Sequence, residues 1–330
     1  MARKETTRVK CFWLHVCLPS RNRRVQLSPP APNKYSMLKK LVLVWSILIC
    51  TAATATVQPR KHATPPIRRI APIPSSIVYD VEQKKNVYEV NSSGIVSIAS
   101  MTKMITVLTV LEADQDLNEM ITVIGKESSP RIRAGQRMSR SDVIELALVA
   151  SDNLAAHTLI ENYPTGYTNG IQAMNQLVQR LGAVSTVIVE PTGLMADNKS
   201  TVNDLTKIAQ AAGTYSMFGR FANLPRAQVQ VEQVSKKKHI FQWIAGNSTN
   251  PFVLQPVNFQ MLAVKTGFTS AAGWCITMLV SYNNHRYVLV TTGNPSKQAR
   301  KMQADNLIQR MITNQQGQID LADSNFYITA

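Results

Sequence analysis

The strand-forming segments of this chain lie at its two ends, and helix-forming segments fill the middle. From Ser76, Ile-Val-Tyr-Asp-Val, a polar turn Glu-Gln-Lys-Lys-Asn and Val-Tyr-Glu-Val90 read as a β-hairpin. Ser97 to Ala113 reads as a long helix, with Met101, Met104, Ile105, Leu108 and Leu111 recurring at three and four. Arg140 to Asn162 reads as a helix pair, and Gly170 to Leu181 as a helix stopped by Gly182. Asn203 caps a further helix, Asp204 to Ala212. Strands return at Met261–Thr266, Trp274–Tyr282 and Arg286–Thr292, and Lys297–Ile312 is a closing amphipathic helix. Such an order leaves one solution for a single sheet: it is assembled from both chain ends, around an inserted helical region. We therefore expect an α+β fold, an antiparallel sheet flanked by the first and last helices with an all-helical lobe beside it. Residues 75–315 form the single domain, and 316–330 a flexible tail. No internal repeat is present.

The N-terminal region reads differently. Residues 37–55 carry a short basic start, about ten apolar residues from Leu41 to Cys50, and a small-residue A-x-A site ending at Ala55. That run is too short to span a bilayer comfortably, so it reads as a cleaved export signal starting at Met37, with no stable membrane anchor. Residues 1–36 then form an upstream extension that precedes the true start, and the Pro- and Arg-rich residues 56–74 form a flexible leader. After cleavage only Cys275 of the four cysteines remains, which excludes an intramolecular disulfide. His157, His239 and His285 are scattered, and no His/Cys cluster has zinc spacing.

The formal charge of +16 would suit a nucleic-acid partner, but its distribution argues against one. Ten lysines and arginines fall in residues 1–55 against Glu5 alone, and the rest of the chain is only mildly basic. The clusters Arg68-Arg69 and Lys236-Lys237-Lys238 read as solvated surface.

Ser-x-x-Lys occurs three times, at Ser36–Lys39, Ser100–Lys103 and Ser235–Lys238, so the pattern alone means little. Only Ser100 opens a strong helix. There Lys103 shares a face with it, one turn on, and the helix N-terminus supplies free N–H groups. A serine hydroxyl needs a base to become a nucleophile, and a buried lysine with a depressed pKa can be that base. Ser151-Asp152-Asn153 closes the apolar run ending at Ala150, and Lys265-Thr266-Gly267 is the only Lys-Thr-Gly of the chain. The latter ends a strand-like segment, a place that suits an edge strand beside a cleft. Lysine and threonine there can bind a carboxylate, and glycine permits close approach to the backbone.

In this order the three motifs resemble the set shared by penicillin-binding proteins and serine β-lactamases. The chain is further similar to the low-molecular-mass penicillin-binding proteins, and within them to the D-alanyl-D-alanine endopeptidase branch, over roughly residues 76–312. The matching stretches are Ser97-Ile-Ala-Ser-Met-Thr-Lys-Met104, Ala150-Ser-Asp-Asn-Leu-Ala-Ala156, Val189-Glu-Pro-Thr-Gly-Leu194, Ser200-Thr-Val-Asn-Asp-Leu-Thr-Lys207 and Lys265-Thr-Gly-Phe-Thr-Ser-Ala-Ala-Gly273. The resemblance implies the penicillin-binding/β-lactamase-like transpeptidase fold and a periplasmic serine peptidase acting on peptidoglycan peptides. It implies Ser100 as the acylated nucleophile, Lys103 as its base and Ser151 as proton relay. Asn153, Lys265, Thr266, Gly267 and Phe268 would bind substrate, with the N–H groups of Ser100 and Phe268 as oxyanion hole. β-Lactams would act as covalent inhibitors, a basic face could help hold the anionic wall polymer, and neither metal nor organic cofactor is implied.

Endopeptidase action on D-Ala–diaminopimelate cross-links is the reading favoured by the whole-chain likeness. D-Alanyl-D-alanine carboxypeptidase action, or a penicillin sensor or wall-binding module that acylates without turnover, are the alternatives. Many members of the branch carry Glu where Asp152 stands, so that position is expected to be tolerant. Glu190-Pro-Thr-Gly-Leu matches the catalytic loop of class A β-lactamases only loosely, and a structural turn at Gly193 is expected instead.

Overall fold

The computed structural model describes residues 72–235 and 238–326, the side chains of 318–326 excepted. The expected extension and export segment, and nearly all of the leader, lie outside the described residues. Among the described residues no helix is long and apolar enough to cross a membrane.

The main sheet joins the chain ends. It contains β1 (Ser75–Asp80), β2 (Lys85–Val90), β9 (Gln260–Thr269), β10 (Gly273–Tyr282) and β11 (His285–Asn294), in the order β2-β1-β11-β10-β9. Every pairing is antiparallel, with Ile77 opposite Val290, Met278 opposite Leu289 and Lys265 opposite Thr277. β9 is an edge strand, as its motif required.

Alternation along the strands divides the core in two. Ile77, Ala263, Cys275, Leu279, Val288 and Val290 join a cluster with α1 (Thr102–Glu112) and α5 (Val202–Ala212). Val78, Ile276, Met278, Val280 and Leu289 pack with Ala304, Leu307, Ile308 and Met311 of α7 (Lys297–Phe326). That closing helix runs beyond Ile312, into the segment read as a tail. Each fully buried aliphatic side chain of these layers contributes about 1.5–3 kcal/mol relative to exposure. Cys275 is the free, buried cysteine among the described residues, and burial pushes its thiol up to about 12.

α1 is buried on all sides from Thr102 to Val110. A helix in that position must satisfy every polar group locally. Thr109 does so by donating to the carbonyl of Ile105, four residues back, while Thr106 donates to the Pro191 carbonyl (2.7 Å). The helix expected from Ser97 is divided. Val96–Ser97 form a short strand, β3, paired with β6 (Lys199–Ser200), and Ala99–Met101 form a 3₁₀ turn leading into α1.

The lobe beside the sheet is not all-helical. It holds α2 (Arg140–Leu148), α3 (Asn153–Glu161), α4 (Tyr167–Arg180) and α6 (Ser216–Ala222). It also holds a second antiparallel sheet, β4 (Met120–Thr122), β5 (Arg137–Ser139), β7 (Arg226–Ser235) and β8 (Lys238–Asn247), in that order. The period-two signal of β7 was present: Ala227, Val229 and Val231 are buried and alternate with exposed Gln228 and Gln230. The glutamines and lysines around it mask the pattern. α4 begins three residues before the expected Gly170, at Tyr167.

The cap of α5 also differs from expectation. Thr201, not Asn203, accepts from the N–H of Asp204, and the helix starts at Val202. Thr201 has extended backbone and stands three residues before the N–H it satisfies, the geometry a cap requires, whereas Asn203 is already helical. Thr201→Ala should therefore lower stability by about 1 kcal/mol. Asn203→Ala should stay within about 0.5 kcal/mol. Urea unfolding midpoints of the two variants measure the difference.

Candidate active site

Ser100 stands in the 3₁₀ turn between β3 and α1, and the chain is held tightly there. Ile98 N–H donates to the Asn198 carbonyl (3.1 Å), and Ser97 Oγ to the Ala196 carbonyl (2.6 Å). Ala99 takes a left-handed conformation (φ 46°), a strained choice for a residue with a side chain. Lys103, one turn on, is fully buried. Its Nζ donates to Ser100 Oγ (2.9 Å), Asn153 Oδ1 (2.7 Å) and the Thr192 carbonyl (2.6 Å). Burial drives its amine down to about 7, against the smaller upward pull of Glu190 and Asp152.

Ser151 and Asn153 come from the junction of α2 and α3. Ser151 is also left-handed (φ 56°). That twist reverses the chain, so Ser151 and Asn153 approach from one loop. The reversal is pinned by Asp152, whose buried carboxylate accepts from Ala155 N (3.1 Å), Ser129 Oγ (2.6 Å) and Arg131 Nη1 (3.4 Å). Asp152, a position expected to be tolerant, thus has structural partners of its own. It is the N-cap of α3 and the partner of Arg131.

Lys265, on edge strand β9, is buried and donates to Ser151 Oγ (2.8 Å) and the Thr266 carbonyl (2.9 Å). Burial, then the cations Lys103 and Arg300, hold its amine well below the usual lysine range. Alternation places Ala263, Lys265 and Gly267 on the face toward α1. At Gly267 a Cβ would lie 3.0 Å from both the Ala99 Cβ and the Ser100 nitrogen. Glycine there lets β9 lie against the Ser100 turn.

The Glu190–Asn198 loop closes the site from below. Glu190 accepts from Thr192 N and Oγ1, Gly193 N, Met195 N and Asn198 Nδ2. So wrapped, its carboxylate is a structural staple that presents the Thr192 carbonyl to Lys103. Gly193 (φ 82°) packs so closely that a Cβ would lie 1.9 Å from the Ala99 oxygen. The turn expected at Gly193 is thus a backbone contact beneath the nucleophile.

Ser100, Ser151, Thr266, Gly267 and Phe268 line one cleft of about 290 Å³, with Lys103, Asn153 and Lys265 bonded in from its walls. Sequence reasoning missed five further lining residues: Ser248, Thr249, Trp274, Lys297 and Arg300. Arg300 is 2% exposed, and its Nε and Nη2 have no hydrogen-bond partner among the described residues. Its guanidinium lies over the Trp274 ring (5.6 Å), which stacks on Phe268 (4.4 Å). In sequence Arg300 is one of several cations on an amphipathic helix, and nothing marks it. Its burial without an anion does.

A larger cavity, about 690 Å³, lies around His157, whose two ring nitrogens are occupied by Glu127 and Glu161. The described grouping with metal-ligand spacing is Asp80, Glu82 and His285, at the turns after β1 and β10. It contributes no residue to the cleft. Within the cleft, a hydroxyl, two amines of depressed basicity and an unpaired guanidinium suit acyl transfer to serine from a substrate bearing a carboxylate.

The profile of peptidase S11, described as D-alanyl-D-alanine carboxypeptidase, matches residues 69–296. A D-alanyl-D-alanine endopeptidase of Pseudomonas aeruginosa is 33% identical over 261 residues, 77% of this chain and 81% of the relative. The protein of the same description from Escherichia coli is 33% identical over 222 residues, 66% of this chain and 69% of the relative. Among solved structures, the Streptomyces K15 DD-transpeptidase superposes with a TM-score of 0.67 at 20% identity, covering 74% of this chain and 98% of that one. Penicillin-binding protein D2 of Listeria monocytogenes, in its cefotaxime-bound form, superposes at 0.60 with 23% identity, covering 72% and 95%. These likenesses carry the α+β transpeptidase fold expected from sequence.

Gly193→Ala should displace the Ser100 turn and slow acylation by fluorescent penicillin roughly a hundredfold, the scale set by an ångström of misplacement. Stopped-time labelling gels measure the rate.

Proposed function

The chain belongs to peptidase family S11, the D-alanyl-D-alanine carboxypeptidases, and from that premise we propose that it is a serine D,D-endopeptidase hydrolysing D-Ala–diaminopimelate cross-links of peptidoglycan through a Ser100 acyl-enzyme. Two relatives at 33% identity, both described as D-alanyl-D-alanine endopeptidases, support the endopeptidase reading over the carboxypeptidase one. The export segment at residues 37–55 supports a periplasmic site of action.

One observation carries the mechanism: the three partners of Lys103 Nζ. Asn153 Oδ1 and the Thr192 carbonyl can only accept, whereas the Ser100 hydroxyl can accept or donate. A neutral amine has two N–H groups and one lone pair. The N–H groups remain on Asn153 and Thr192, and the lone pair faces the Ser100 O–H. Ser100 Oγ then attacks the D-Ala carbonyl carbon as its proton passes to Lys103 Nζ. The ammonium so formed donates to the same three oxygens, and no side chain has to move.

The developing oxyanion is received by the N–H groups of Ser100 and Phe268, a reading supported by the close approach of Gly267 to the Ser100 nitrogen. Ser151 Oγ, held by Lys265, passes its proton to the departing amine as the C–N bond breaks and takes up in turn the proton that Lys103 gained from Ser100, which leaves Lys103 neutral again. The carboxylate beside that amine is held by Thr266, Lys265 and the unpaired N–H groups of Arg300. Water then attacks the ester with Lys103 again accepting the proton, which returns to Ser100. A β-lactam presents the same carbonyl and carboxylate, so it acylates Ser100.

Residues 56–330 incubated with cross-linked muropeptide dimers should release monomers, read by mass spectrometry. Loss of terminal D-Ala alone would show a carboxypeptidase, and stable penicillin labelling without turnover a sensor. Ser100→Ala should abolish labelling, and labelling that persists would overturn the mechanism.

The base form of Lys103 dominates above its pKa of about 7. Acylation should therefore rise about tenfold per pH unit below pH 7 and level off above it. A pH profile of the labelling rate measures this, and a rate flat from pH 5 to 8 would remove Lys103 as the base.

A further inference from the structure

The hairpin of β7 and β8 carries its aromatic side chains outward. In its register Trp243 lies opposite Gln230, Phe241 opposite Glu232 and His239 opposite Val234, so these pairs share one face. The other face buries Ala227, Val229 and Val231 in the lobe. On the open face Trp243 is 74% exposed, Phe241 54% and Val234 41%. A cavity of about 310 Å³ lies beside Trp243, between Gln228, Ile244 and Ala245. β8 is also an edge strand, with its outer backbone groups unpaired in the sheet. Exposed aromatics grouped like this mark a surface that meets something.

Two observations identify what. The hairpin is continuous with the cleft: Ser248 and Thr249, directly after β8, line it, and Thr249 N–H donates to the Val149 carbonyl just before Ser151. Ser248 stands five positions after Trp243 along extended backbone, about 17 Å, so the aromatic face runs outward from the place where the scissile bond would lie. The hairpin is also basic. Arg226 opens β7 and Lys238 opens β8. Its one acid, Glu232, is buried against Arg137 and His239.

We propose that this face is a docking surface for the glycan strand of the polymer whose peptides enter the cleft. The inference rests on the peptidoglycan reading above. Pyranose rings present C–H faces that stack on flat aromatic rings, and Phe241 and Trp243, two residues apart on one face, offer two such platforms in a row. Ring hydroxyls and acetamido groups reach the unpaired edge of β8, and Arg226 and Lys238 offer cations to the carboxylates of neighbouring stem peptides. A short soluble muropeptide fills the cleft without needing this surface, whereas an intact polymer uses both.

Co-sedimentation of residues 56–330 with purified insoluble peptidoglycan tests the idea. The double variant Trp243→Ala/Phe241→Ala should bind about tenfold more weakly or worse, the usual scale for truncating exposed aromatic anchors. Penicillin labelling of Ser100 and hydrolysis of soluble cross-linked dimers should stay at wild-type rates. Trp243→Tyr/Phe241→Tyr, which keeps flat rings, should restore sedimentation. Equal sedimentation of wild type and double variant would overturn the proposal. So would wild-type binding to phosphatidylglycerol vesicles but not to peptidoglycan, or a wild-type dimer in analytical ultracentrifugation that the variant dissociates. A wild type that sediments but does not cleave dimers would instead count against the endopeptidase reading, leaving the polymer contact standing.

Discussion

The site depends on an amine placed where water cannot reach it. Lys103 lies on a helix buried on every side, and an ammonium in such a position, without compensating oxygens, would cost several kcal/mol. The fold supplies three oxygens and no directly bonded anion, so the amine is satisfied without being locked into its charged form. A carboxylate at hydrogen-bond distance would have raised its basicity and removed it as a base. Glu190 and Asp152 are near enough to be felt, but their oxygens are occupied by backbone and side-chain donors of their own loops.

The surrounding structure delivers those oxygens. Asn153 arrives through a left-handed Ser151 held by the Asp152 cap, and Thr192 through a loop wound about Glu190. Ser100 arrives through a left-handed Ala99 pressed against Gly193. Two strained residues and two close-packed glycines surround one nucleophile. Such conformations persist only where neighbours over-determine them, and both carboxylates here serve that end.

Much of this was legible in the chain. The positions of Ser100, Lys103 and Lys265 follow from a three-residue helical spacing and an edge-strand expectation, and the sheet from the strand segments at both ends. What escaped reading had physical reasons. Arg300 is distinguished only by burial, which no local pattern of cations on a helix reveals. The structural work of Asp152, capping α3 and pairing with Arg131, depends on tertiary neighbours that the motif does not show. The β7–β8 hairpin hid because its alternation is polar on one face and its aromatics sit on the other strand. The cap of α5 was misplaced by two residues because Asn203 is a good capping residue by type, while backbone geometry selected Thr201.

The joining of the chain ends in one sheet has a consequence for how the protein comes to exist. Val78 pairs with Leu289, and β1 is clamped between β2 and β11. Contacts this distant in sequence close late, after a long loop has lost its freedom. The hydroxyl and amine of Ser100 and Lys103 are synthesised early, but β9, which carries Lys265 and walls the cleft, and β11, which ties β10 to β1, come more than 150 residues later. A partly made chain thus holds the nucleophile and lacks the edge that organises it. Wall-cutting capacity is switched on by completion of the polypeptide itself.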